Sequence, residues 1–134
     1  MSLTQLPDRI SRDEVVGHFI LSKSEFSIQK AQVKHRALEP SLRENSISVV
    51  RIRDLSEENI WEWGRQNVIS SEAQTLYARA DMHVLDIILL KLSIEPDEPP
   101  VRHANIANWP SQKDAMIAVA QQLAARAILR LPNP

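Results

Sequence analysis

At 134 residues, with 43% hydrophobic and 25% charged residues and a net charge of −1, the chain has enough apolar side chains for one domain with a core, and no overall attraction to polyanions or acidic membranes. It contains no cysteine, which excludes disulfides, thiolate catalysis, iron–sulfur clusters and cysteine-based zinc sites. Its two glycines, Gly17 and Gly64, are too few for a phosphate-cradling loop, so a P-loop NTPase, a dinucleotide-binding Rossmann domain and a kinase-type loop are excluded as well.

Aromatic residues make up 4% of the chain, which speaks against single-stranded nucleic acid bound by base stacking. The opening segment, Met1 to Pro7, is too short and polar for a signal peptide. The longest apolar run, Ile87 to Leu90, falls far below the roughly 20 residues that span a bilayer. The expectation is a cytoplasmic protein with no membrane partner, a single domain over 1–134 with residues 1–10 as a loose arm.

In chain order, Ser11-Arg12-Asp13-Glu14 has the form of a capping box, and Val15, Val16, Phe19 and Ile20 follow at helical spacing. A short helix over about 12–21 is expected. Residues 25–45 show no clear period, with turn signals at Pro40 and at Glu44-Asn45. From Lys30 to Arg53 six Lys or Arg stand against two acids, a basic stretch in a nearly neutral chain. Ile47 to Arg53 is β-branched and alternating, the clearest strand. With Val50 and Ile52 on the core, Arg51 and Arg53 would project together from the other side.

Ser56 followed by Glu57 and Glu58 marks a helix start, and the helix should run over 57–67. Alternation from Thr75 gives way to helical spacing near Met82, so a strand over 75–80 is expected to pass into a helix over 81–92. Ser93 to Glu95 reads as a short strand before the turn Pro96-Asp97-Glu98-Pro99-Pro100, and His103 to Ile106 as another. Ser111-Gln112-Lys113-Asp114 resembles a second capping box, opening an amphipathic helix over about 112–129 that Pro132 ends. The order of elements predicts an α+β or small α/β domain, a three- to four-stranded sheet packed by about four helices in a single-layer sandwich, with the amphipathic helix at the C-terminus.

The densest chemistry lies in Arg102-His103-Ala104-Asn105-Ile106-Ala107-Asn108-Trp109, just ahead of a helix N-terminus, where unpaired N–H groups and the helix dipole favour anions. His103 is the candidate acid or base, since imidazole titrates near neutrality. Asn105 and Asn108 would orient a ligand and Lys113 would add charge. The plain alternative makes the asparagines turn formers, His103 a structural donor and Trp109 a core plug. Arg79, Asp81 and His83 would share one face of an extended chain, either tuning the histidine and binding a phosphate or forming a surface ion pair. Asp81, His83, Asp86 and His103 are acceptable metal-ligand types, but they match no ligand spacing, so no metal or other cofactor is assigned.

Four stretches, Ser48 to Ile52, Leu55 to Trp61, Ala78 to Asp81 and Arg102 to Pro110, resemble a group of small bacterial proteins that carry an R-H-A-N-I-x-x-W-P segment. The resemblance covers about residues 15–128. It implies a bacterial origin and a single domain, and carries no activity, cofactor or catalytic residue.

Three functions are consistent with these residues. The first is a binding protein for an anionic, phosphate-bearing ligand held by Arg51, Arg79, Arg102 and His103, because guanidinium forks match phosphate geometry. The second is a protein–protein module of a bacterial defence or toxin-neutralising operon. It would use the basic 30–53 stretch, the acidic 54–62 stretch and Trp61 and Trp63, one of which should be left exposed for a partner or a second copy. The third is a phosphoester-acting enzyme with His103 as acid or base, a reading the sequence favours less than binding.

Overall fold

The segment expected as the first helix is a strand. In a computed structural model that describes residues 3–41 and 43–133, β1 runs over Val15–Ile20, because it lies inside a sheet buried on both faces. Val16 and Ile20 enter the larger apolar cluster while Phe19 enters a smaller one with Val50, Ile60, Trp61 and Trp63. A strand buried on both sides loses its alternation and mimics helical spacing. The capping-box residues do pair, Ser11 N–H donating to Glu14 Oε2 at 2.9 Å, but around a single turn from which the chain emerges extended.

The remaining elements are β2 (Phe26–Ser27), β3 (Gln32–Val33), β4 (Ile47–Arg51), α1 (Glu57–Asn67), β5 (Ala78–His83), α2 (Val84–Leu89), β6 (Ser93–Pro96), β7 (His103–Ala107), α3 (Lys113–Arg126) and β8 (Ile128–Arg130), with two short 3-10 turns at 23–25 and 35–38. The sheet has the order β6-β7-β4-β1-β5-β8, and β2 and β3 form a separate two-stranded sheet. Every pairing is antiparallel. This corrects the expected architecture: the α+β class stands, but the sheet has six strands rather than three or four, a second small sheet accompanies it, and the described residues form three α-helices rather than four.

The causes are local. The helix expected over 81–92 begins only at Val84, because the strand continues through His83 with Ala78, Arg79, Ala80, Asp81 and Met82 all buried. The last helix stops at Arg126, and Ile128 to Arg130 turn back as an edge strand on β5. Gln112 rather than Ser111 caps α3, its side chain accepting from Ala115 N–H. The first helix of the fold, α1, has the expected bounds and the expected Ser56 cap.

The larger cluster takes Ile47 and Val49 from β4, Ala78, Ala80 and Met82 from β5, and Met116, Ala120 and Leu123 from α3. On the opposite face, α1 covers Phe19 and Val50. Leu3 to Ile10, expected as a loose arm, carry no helix or strand. They are joined to the body where Arg51 Nη1 donates to the Pro7 carbonyl at 2.7 Å and Arg102 Nε to the Thr4 carbonyl at 2.9 Å. Met1 and Ser2 of that arm lie outside the described residues.

Helix α1 sits close to the sheet because position 64 has no side chain. A Cβ there would stand 2.7 Å from Phe19 Cε1 and Cζ and 3.0 Å from Leu76 Cδ1. Gly64→Ala gains about 1 kcal/mol of helix propensity but overpacks the Phe19 ring at about 1–3 kcal/mol. A net loss of stability in urea denaturation is therefore expected, and a gain would show that the ring moves aside freely.

Candidate functional site

The three arginines expected to converge on a ligand are buried, each with internal partners, though Arg79 Nη1 has none among the described residues. Arg51, Arg79 and Arg102 are each 1% exposed or less. Arg51 makes a two-pronged pair with Glu14, Nε to Oε1 at 2.9 Å and Nη2 to Oε2 at 2.8 Å. Burial alone would raise the Glu14 carboxyl, but the Arg51 fork and the Ser11 N–H outweigh it and hold the group below the usual range. The expected outward projection of Arg51 fails because β4 is covered on both sides: Ile47 and Val49 face one core, Val50 the other, and Arg51 closes the margin.

Arg79 and Asp81 do share a strand face with His83. Arg79 Nε and Nη2 donate to Asp81 at 2.6 and 2.8 Å, Nη2 also reaches Glu57 at 2.9 Å, and the guanidinium lies 5.1 Å from the Trp61 ring centre. Burial would lower its pKa, yet Asp81 and Glu57 raise it further above the ordinary arginine value. Gly17 opposes Asp81 in the register and makes room for this pair, since a Cβ there would meet Arg79 Cδ at 2.9 Å. Arg102, at φ 78°, donates to three carbonyls, those of Thr4, Arg51 and Arg53. Burial, then the neighbouring Arg51 charge, lower its pKa.

The other site candidates separate. Asn105 Nδ2 donates to Asp97 Oδ2 at 2.8 Å, and Asn108, at φ 65°, donates to the Lys91 carbonyl at 3.0 Å, so both serve turns. Lys113 borders a different hollow with Pro40, Ser41 and Met116. Trp109 is a core plug, its Nε1 donating to the Ile106 carbonyl. Trp61 and Trp63 are 5% and 3% exposed, so neither offers the bare face expected for a partner. Two residues that diverge on one helix are both covered because Trp61 lies over Phe19 and Arg79 while Trp63 stacks between Phe19 and His103.

His103 remains, and it borders a cavity of about 280 Å³ whose other walls include His18, Phe19, Ser48, Trp63, Asn67 and Pro100. Its Nδ1 donates to the Asp97 carbonyl at 2.7 Å. A carbonyl only accepts, so Nδ1 carries a proton, and the Asp97 carboxylate lies 3.5 Å from the same nitrogen. The ring is parallel to Trp63 within 12°, centres 6.4 Å apart, and Trp63 is parallel to Phe19 within 13° at 6.2 Å. Trp63 Nε1 donates to the Val101 carbonyl at 2.8 Å, which ties the 97–103 segment to α1. Asn67 Nδ2 donates to the Trp63 carbonyl at 2.9 Å and leaves its oxygen as an acceptor.

The cavity lies where the assigned pairing of two central strands ends. The β1–β4 register covers Val16–Arg51 and Gly17–Val50, and Ile52 N–H donates to the Val15 carbonyl. The rung after Gly17–Val50 would be Phe19–Ser48, and it is not formed. The Ser48 carbonyl accepts instead from His18 Nδ1 at 2.7 Å. Sequence reasoning missed His18, Phe19, Ser48, Trp63 and Asn67 as one site. Only a correct reading of 15–20 as a strand would have placed His18 opposite β4.

Two outcomes follow. Removing one partner of a buried ion pair strands the other charge at a cost of about 3–5 kcal/mol, whereas replacing both with apolar groups is far milder. Arg51→Met should therefore lose several kcal/mol in urea denaturation, and Glu14→Leu added to it should restore most of the loss. Burial lowers the His18 pKa from 6.5, with the Ser48 and Ala37 carbonyls pulling weakly the other way. The unfolded chain then binds the proton more readily than the folded one, so stability falls as pH drops through about 6.5 and levels off below the folded value. Melting curves across pH should show a shallower acid-side decline for His18→Gln than for the parent.

No protein-family model matches the chain, and neither a curated protein nor a solved structure matches it.

Proposed function

We propose that the protein is a small-molecule binding module whose ligand, about one ring in size, occupies the cavity between His103 and the split strands. The observation that carries this reading is a pocket with unspent polar atoms: His103 Nε2 and the Asn67 oxygen have no partner among the described residues, in walls that also include His18, Ser48 and the apolar Phe19, Val49, Trp63, Val68 and Pro100. Ligand sites combine a mostly apolar lining with a few placed polar groups in this way, and those for drug-sized molecules run from about 300 to 1,000 Å³. A cavity of about 280 Å³ suits a single ring.

A phosphate clamp of Arg51, Arg79 and Arg102 has little support, since their side chains already pair with Glu14, Asp81, Glu57 and main-chain carbonyls. Of the four cations expected around an anion, His103 alone borders the cavity. Burial of both Trp61 and Trp63 likewise favours a ligand pocket over a tryptophan-centred protein interface.

A fragment titration followed by NMR tests the proposal. Ring-sized heterocycles are expected to shift the Trp63 indole N–H and the His103 ring signals. His103→Ala should weaken the same fragments about tenfold, the worth of one hydrogen bond of about 1.4 kcal/mol. Binding that is indifferent to His103→Ala, or no response from any fragment or from inorganic phosphate, would overturn it.

A further inference from the structure

Among the described residues, the lining of the cavity beside His103 carries no carboxylate, lysine or arginine, and its ionisable groups are two imidazoles, His18 and His103. A cationic ligand would lose its hydration there without meeting a counter-ion. The two imidazoles differ. His18 Nδ1 donates to the Ser48 carbonyl at 2.7 Å, and burial disfavours its charged form. His103 Nδ1 faces the Asp97 carbonyl at 2.7 Å and the Asp97 carboxylate at 3.5 Å. A second proton on this ring therefore has its counter-ion in place, and Asn105 Nδ2 holds that carboxylate at 2.8 Å. The other charged groups of the segment are engaged elsewhere: Glu98 accepts from Arg102 N–H and Gln5, and the Arg102 guanidinium donates to the carbonyls of Thr4, Arg51 and Arg53. β6 sets Glu95 opposite Asn105, β4 sets Val50 opposite His103, and α1 presents the uncharged Trp63 ring.

The cavity thus offers one group that can carry a charge. It also offers one neutral acceptor, because Asn67 Nδ2 donates to the Trp63 carbonyl and leaves the amide oxygen without a partner among the described residues. We propose that the ligand is a hydroxylated aromatic carboxylate, a single ring whose carboxylate pairs with a protonated His103 and whose hydroxyl donates to the Asn67 oxygen. One cation in the wall matches the single charge of a carboxylate and leaves half of a phosphate dianion unanswered. With Nδ1 taken by Asp97, Nε2–H makes the charge-assisted bond to the ligand. Phe19, Val49, Trp63, Val68 and Pro100 supply apolar surface for the ring. Binding draws a proton onto the imidazole wherever the ring was neutral, so affinity rises as pH falls through the imidazole range. The ligand's own carboxylate stays ionised until well below that range.

This assignment rests on the ligand-binding reading, and the experiment separates the two. The intact protein is titrated with the three hydroxybenzoate isomers, with benzoate and with the matching hydroxybenzamides, at about pH 5.5 and about pH 8, on either side of the ordinary imidazole value. At least one hydroxybenzoate is expected to bind about tenfold more tightly at the acid pH, and there about tenfold more tightly than its amide. The His103 ring nitrogens should take on the NMR signature of an imidazolium when it binds, and His103→Gln should remove the pH dependence. The advantage of that isomer over benzoate should vanish in Asn67→Ala, a ratio that a general loosening of the pocket leaves unchanged. Equal binding of acid and amide, or affinity that ignores pH, would overturn the carboxylate assignment. A hydroxyl that brings no advantage, or one whose advantage survives Asn67→Ala, would overturn the placement at Asn67. In either case, shifts at Trp63 and His103 with neutral rings would leave the binding reading standing. Silence of every cavity signal toward every fragment would remove both.

Discussion

Three buried guanidiniums tie the sheet to the segments around it, and each is held in the interior by acceptors, most of them from distant parts of the chain. Glu14 reaches Arg51 from the turn before β1. Asp81 and Glu57 reach Arg79 from its own strand and from the first turn of α1. The carbonyls of Thr4, Arg51 and Arg53 converge on Arg102. A charge with no such partner in a low-dielectric interior costs several kcal/mol, so the N-terminal segment, the β4 exit and the start of α1 are positioned jointly. The same geometry decides the chemistry. Side chains that look like anion receptors in a one-dimensional reading are already engaged, Arg51 and Arg79 by carboxylates and Arg102 by main-chain carbonyls, and the site falls to the residues left over.

Those residues gather where the ladder fails. β1 pairs with β5 over six residues, but with β4 over two. The imidazole of His18 bonds the Ser48 carbonyl across the gap, while Trp63 is stacked between Phe19 and His103. The orientation of His103 depends on the 97–102 segment in the same way. Asp97 fixes its Nδ1 proton, and Glu98 binds the Arg102 N–H and the Gln5 side chain. A pocket bordered by groups that are themselves held by hydrogen bonds needs little rearrangement to receive a ligand.

Legibility in the sequence followed local determinants. α1 was readable to the residue because its start depends on a Ser56 cap and two acids, and β4 and β7 because β-branched and alternating residues suit strands. β1 was not, since a strand covered on both faces carries no period of two, and its Val-Val-Gly-His-Phe-Ile composition fits either reading. β8 was hidden in the tail of a helical stripe, and the β2–β3 pair is too short for any period to show. For the site, His103 was legible as a titratable group in a polar loop. Its neighbours were not, because His18, Ser48 and Trp63 meet through pairings between strands far apart in sequence. The arginines were misjudged because local charge says nothing about which carboxylate lies across the sheet.

The outer strands complete the picture. β6 spans four residues and closes on a proline that has no N–H to donate, and β8 spans three and carries Arg130. Short margins bearing proline or a cation are poor templates for a stray chain. The sheet is thereby guarded against runaway edge-to-edge polymerisation.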